Sequence, residues 1–144
     1  MERSPAQMYA LVIGAVLLAA GILGFFYNAS FGIDPVERDA VLGILDVNAW
    51  HNLVHLSTGA LGLAVASSYA GSRVYAYGLG FVYLLVTIIG FVYGDGEAIF
   101  GLIPINTEDN VFHLLLGVAG LAAGAASPEA PAPTTTRPDV AQAR

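Results

Sequence analysis

The chain is a tandem duplication. Tyr9-Ala10, Gly14, Val16, Leu18, Ile22, Gly24-Phe25 and Tyr27 recur sixty-six positions later as Tyr75-Ala76, Gly80, Val82, Leu84, Ile88, Gly90-Phe91 and Tyr93. Asn48, Asn52, His55, Gly59, Gly62 and Leu63 recur fifty-eight positions later as Asn106, Asn110, His113, Gly117, Gly120 and Leu121. Each copy is an apolar segment, an acidic loop and a second apolar segment opened by asparagines and a histidine. A unit of that kind, too small to bury its own apolar surface, is completed by its neighbour.

The solvent for this unit follows from its polarity. Of the residues, 56% are hydrophobic and 11% charged, with a mean hydropathy of +0.69, the composition of an integral membrane protein. Apolar runs from Met8 to Tyr27, Ala49 to Ser68, Val74 to Tyr93 and Val111 to Ala126 are each near the roughly 20 residues that cross a bilayer as a helix. The expected fold is all-α: a four-helix transmembrane domain over residues 1–127, with repeat one at 8–68 and repeat two at 74–126. The first run resembles a signal peptide, but its counterpart at Val74 to Tyr93 argues that it is a retained helix. The Pro- and Thr-rich segment 128–144 is expected to be a disordered cytoplasmic tail.

Charge gives the orientation. There is no lysine, and Arg3, Arg73, Arg137 and Arg144 fall on one side of a four-span arrangement with only Arg38 on the other, so both termini are expected in the cytoplasm and the chain in the cell membrane. Asp34, Glu37, Asp39, Asp46, Asp95, Glu97, Glu108 and Asp109 all fall in the two outer loops. A net charge of −6 argues against nucleic acid as a partner, leaving the lipid bilayer and a homo-oligomer or larger membrane complex. Two copies that each cross the membrane twice share one orientation, so a pseudo-twofold axis along the membrane normal is expected.

The polar residues lie on one stripe. Asn48, Asn52, His55, Gly59, Gly62 and Ala66 are spaced three or four apart, as are Asn106, Asn110, His113, Gly117, Gly120 and Gly124, which keeps each set on one helical face. Small residues let helix backbones approach closely in lipid, and polar side chains at membrane depth must find partners or a cavity. Asn48 and Asn106 read as helix N-caps. Asn52, Asn110, His55 and His113 then form a hydrogen-bonded clasp between the copies, or the two histidines serve as ligands to a b-type haem or a metal ion. His51 offers a further nitrogen and Asp109, which holds its place in the second copy, an oxygen; beside Trp50 at the membrane interface, His51 is expected to be solvated. Ala40 to Val47 and Ala98 to Ile105 are too short to span and are expected to cover the polar end of the stripe as interfacial or re-entrant segments.

Chemistry is sparse. Cysteine is absent, which removes disulfides, thiolate metal sites and a cysteine nucleophile. No phosphate-binding loop, nucleophile elbow or zinc-protease pair is present. A non-enzymatic accessory or scaffold protein is the leading expectation, a haem- or metal-binding redox subunit the second, and a small transporter or channel the third.

Three stretches carry a resemblance to a known family: Pro5-Ala6-Gln7 with Tyr9-Ala10, Asp46-Val47-Asn48 with Trp50-His51-Asn52-Leu53-Val54-His55, and Ile103-Pro104-Ile105-Asn106-Thr107 with Asp109-Asn110-Val111-Phe112-His113-Leu114. Over residues 4–126 the chain resembles the small bacterial and archaeal membrane proteins grouped as domain of unknown function 4383. The resemblance implies four membrane helices and brings with it no activity, cofactor or catalytic residue.

Overall fold

A computed structural model describes residues 2–128. The tail expected at 128–144 lies outside the described residues apart from Pro128, as do Arg137 and Arg144. The described chain is built on four helices: α1 (Pro5–Tyr27), α2 (Ala49–Val65), α3 (Tyr69–Tyr93) and α4 (Thr107–Ala125).

Local chemistry explains where each helix begins. Ser4 caps α1 through the Gln7 backbone N–H while the Gln7 side chain returns to the Ser4 N–H, and Pro5 occupies the first turn, where its missing N–H costs nothing. Asn48 and Asn106 cap α2 and α4, accepting from the backbone N–H groups of His51 at 3.0 Å and Asp109 at 2.8 Å. Ser68 caps α3 through Gly71 N–H, so the segment from Ala70 to Arg73, which falls between the second and third apolar runs, is helical. With a cap at Ser68, nothing in Ala70-Gly71-Ser72-Arg73 breaks the helix before the apolar run, and the turn between α2 and α3 shrinks to three residues, 66–68.

α1 and α3 are long and apolar enough to cross a membrane. α2 and α4, at 17 and 19 residues, are shorter and less apolar. Only 33% and 39% of the apolar stretches of α1 and α3 are buried inside the protein, whereas the core helix of a water-soluble domain would be mostly covered.

The short apolar stretches in the loops are β-hairpins. β1 (Asp39–Val41) pairs antiparallel with β2 (Leu45–Val47), and β3 (Ala98–Ile99) with β4 (Ile103–Pro104). Each turns through two residues of positive φ, Leu42-Gly43 and Phe100-Gly101, the geometry of a type I′ turn whose twist matches that of the strands.

α1 packs chiefly on α2, and α3 on α4, with smaller contacts of α1 with α3 and α4, and of α2 and α4 with β4 and β2 of the opposite β-hairpins. The core is centred on Tyr9, Leu17, Tyr75, Leu79 and Tyr83, ringed by Ala6, Ala10, Ala66 and Ala76. Glycine sets the spacing of the helix pairs. A β-carbon on Gly14 would lie 2.9 Å from the Leu63 nitrogen, and one on Gly80 2.8 Å from the Leu121 nitrogen, so backbone meets backbone at both places.

A polar cluster at the loop end of the bundle

The first turns of α2 and α4 bring the polar stripe beneath the two hairpins. Asn48 Nδ2 donates to the Leu102 carbonyl at 2.7 Å, and Asn106 Nδ2 donates to the Ile44 carbonyl at 2.6 Å. Each capping asparagine therefore reaches the hairpin preceding the other. A second reciprocal pair lies deeper: the Tyr9 hydroxyl donates to the Leu116 carbonyl on α4 at 2.9 Å, and the Tyr75 hydroxyl to the Thr58 carbonyl on α2 at 3.1 Å.

Asn52 and Asn110 act differently from the expected clasp. Asn52 Nδ2 donates to the Asn28 carbonyl at 2.8 Å, at the end of its own hairpin's first helix. Its Oδ1 lies where a β-carbon of Gly24 would stand, and Asn110 Oδ1 takes the same place at Gly90. These amides fill glycine notches within their own halves, so the cross-links between halves come from the caps and tyrosines. Gly59, Gly62, Gly117 and Gly120 are buried against neighbouring helices, and Gly124 packs on the Tyr77 ring.

The histidines converge. His51, His55 and His113 each offer a ring nitrogen, and the three nitrogens lie within 4.8 Å of one another. His51 is 2% exposed, which corrects the expectation that it is solvated. Its position in the first turn of α2 turns the ring inward beneath β2, where Nδ1 meets the Asp46 carbonyl at 2.8 Å. His51 and His55 rings are 4.4 Å apart edge to face, and His113 is 6.1 Å from His51 and 6.5 Å from His55. Tyr83 stacks on His113 with ring centroids 4.9 Å apart.

Asp109 does not join this group. Its carboxylate accepts the Asp46 backbone N–H at 3.0 Å. One peptide, Asp46, thus holds His51 through its carbonyl and Asp109 through its N–H. The corresponding residue in the second copy is Pro104, which has no N–H to give. The Asp46 carboxylate projects toward Arg38, 3.7 Å away, yet burial pushes its pKa up, with the Arg38 charge working in the opposite direction.

This arrangement suits an ion better than a haem. A porphyrin held between His55 and His113 would need its plane clear around the iron, and His51 places a nitrogen within 4.8 Å of both candidate ligand atoms. The repeat alignment does carry a trace of the cluster: polar His51 stands against Asp109, and Tyr83 against Leu17. The role of the Asp46 peptide left no such trace, because any residue except proline supplies the same N–H and carbonyl.

The family model described as Domain of unknown function (DUF4383) matches residues 7–126. The chain belongs to this family. The match takes in all four capped helices except the first two residues of α1, and both hairpins. No curated protein and no solved structure matches the DUF4383 chain.

Proposed function

We propose that this DUF4383 protein is a four-span protein of the cell membrane that acts as a non-enzymatic accessory or scaffold subunit. Its two tandem hairpins are related by a pseudo-twofold axis along the membrane normal, and both termini are cytoplasmic. The observation that carries the membrane reading is the polarity of the bundle. Phe26, Val74, Phe81, Ile88, Val92 and Leu115 are exposed, while glycine, alanine, asparagine and tyrosine fill the interior. In water such a surface is an aggregation hazard, whereas in lipid it is the solvent-facing side.

The reciprocal bonds support the pseudo-twofold relation. Tyr9 to Leu116 and Tyr75 to Thr58, like Asn48 to Leu102 and Asn106 to Ile44, join residues that are equivalent under the sequence repeat. Cross-linked halves with a lipid-facing exterior make a rigid body that presents two acidic outer loops, the form of a subunit that positions others.

Because the natural chain lacks cysteine, single engineered cysteines report topology directly. Glu37→Cys and Glu97→Cys should react with a membrane-impermeant maleimide on intact cells, and Glu2→Cys and Ser67→Cys only after lysis. Labelling of both sets from outside, or release of the protein by alkaline carbonate, refutes the four-span reading. Native mass spectrometry from mild detergent should show a defined oligomer or a stable complex; a lone monomer counts against the scaffold role.

A further inference from the structure

Three imidazoles from two helices meet at the loop end of the bundle, with their available nitrogens within 4.8 Å of one another. His51 and His113 are 2% and 6% exposed, and His55 is half-buried. His51 is oriented as metal-bound histidines are: with Nδ1–H donated to the Asp46 carbonyl, the Nε2 lone pair is left free. On the other side of the cluster, His113 Nδ1 and the Tyr83 hydroxyl are buried with no hydrogen-bond partner among the described residues. Buried polar atoms are nearly always satisfied, so two orphans beside a converging set of nitrogens call for an occupant.

The geometry points to a binding site for a borderline transition-metal ion, Zn²⁺ or a similar first-row dication, held by His51, His55 and His113. Tetrahedral coordination with metal–nitrogen bonds of about 2.05 Å needs nitrogens roughly 3.3 Å apart, so the rings draw in by side-chain rotation as the ion binds. Three neutral nitrogens select zinc, copper or nickel over magnesium or calcium, which take oxygen. They also leave a fourth position for water or an incoming ligand, which distinguishes this site from a closed structural one. The α2 dipole opposes a cation beside His51, and the Asp109 carboxylate, held on the same Asp46 peptide, counters that field. The acidic residues of the two loops raise the local concentration of cations at this end of the bundle. The second copy cannot build an equivalent site, because Asp109 replaces the third histidine. This inference goes beyond the scaffold reading, and either can fail without the other.

The test uses the full chain in mild detergent with its purification tag removed and chelator dialysed away. Co²⁺ is the first probe. Folded wild-type protein should take up a single Co²⁺ per chain with the visible absorption of tetrahedral nitrogen ligation, and Zn²⁺ should displace it and raise the melting temperature. His51→Ala, His55→Ala and His113→Ala should each weaken binding at least about tenfold, whereas Gly78→Ala, whose added β-carbon meets nothing within 4 Å, should leave it unchanged. X-ray absorption on the wild-type Zn²⁺ complex should show imidazole scattering, which decides the matter even where a variant fails to fold. Absence of saturable uptake by folded wild type, uptake that survives the triple substitution, or a shell of oxygen alone overturns the assignment.

Discussion

The side-chain oxygen of Asn52 occupies the space in which a β-carbon of Gly24 would lie. Asn52 is fully buried, and its Nδ2 is tied to the Asn28 carbonyl, so the amide cannot swing aside without leaving a bonded group unsatisfied. Gly24→Ala should therefore destabilise the protein by about 1–3 kcal/mol, the usual range for overpacking a tight interior. Adding Asn52→Ala to Gly24→Ala should cost less than the sum of the single changes, because the second substitution removes the clash made by the first. Unfolding in mixed detergent micelles measures all three. Strict additivity would mean that the notch is not tight.

Not every glycine is under such constraint, and one pair makes the contrast. A β-carbon on Gly59 would run into the Leu18 backbone, while one on Gly78 meets nothing within 4 Å. Gly59→Ala should force α1 and α2 apart and lower stability by about 1–3 kcal/mol. Gly78→Ala should be neutral or stabilising by up to about 1 kcal/mol, through helix propensity alone. Equal effects in the same melting assay would show that close helix approach is not what the seam glycines provide.

These contrasts show which parts of the molecule were legible in the sequence. The spacing of Asn48, Asn52, His55, Gly59 and Gly62 was enough to place them on one face, because helical period follows directly from residue order. The capping roles of Asn48 and Asn106 were equally readable, since an asparagine before an apolar run answers the orphan N–H groups of a first turn. The partners were not readable. Asn52 bonds the Asn28 carbonyl and Asn48 the Leu102 carbonyl, and a backbone acceptor has no side-chain signature. The hairpins were hidden for a related reason: Leu42-Gly43 and Phe100-Gly101 are unusual type I′ turns, which prefer asparagine or aspartate before glycine. His51 looked wet because its neighbour Trp50 belongs at an interface, yet adjacent helix positions face about 100° apart and only one of them points inward.

The hairpin tips give a third prediction. Leu42 and Phe100 sit at φ 54° and 53°, a region that bulky side chains avoid, and both are largely exposed. Leu42→Asn and Phe100→Asn should each relieve backbone strain and stabilise detergent-solubilised protein by about 0.5–1 kcal/mol. In liposomes the gain should vanish if the two apolar tips rest in the headgroup region, where polar replacements lose contact with lipid. Comparing melting temperatures in the two media measures this directly. A loss in detergent would mean that the side chains make contacts outweighing the strain.

The reciprocal tyrosine bonds predict equal costs in the two halves. Tyr9→Phe and Tyr75→Phe each remove one hydroxyl donor to a carbonyl of the opposite hairpin and leave the ring in place, so each should cost about 0.5–1.5 kcal/mol. The rings themselves pack 6.2 Å apart across the centre of the bundle. The double variant should weaken the association of the halves most, and cleavage at a protease site inserted in the 66–68 turn, followed by native gels, would reveal separation of two hairpin fragments. Intact association in the double variant would place the cohesion of the halves in packing alone.

The last prediction concerns acid. Burial raises the pKa of Asp46 above its unfolded value of about 3.9, so the native state favours the protonated carboxyl. The stability this contributes is present in full below the unfolded pKa and is lost as pH rises through the elevated native one. Asp46→Asn, which keeps the backbone N–H and carbonyl that hold Asp109 and His51, removes that dependence. The variant should therefore match wild type near pH 4 and exceed it modestly at neutral pH, since the ion pair it gives up with Arg38 is long and partly exposed. Paired melts from pH 4 to 7, read as the difference between variant and wild type, cancel the titration of groups remote from Asp46. Asp109, raised to about 7 by burial and in part by the Asp46 charge, adds to the difference in the same direction. A difference that favours wild type at neutral pH would show that the Arg38 charge outweighs the desolvation of Asp46.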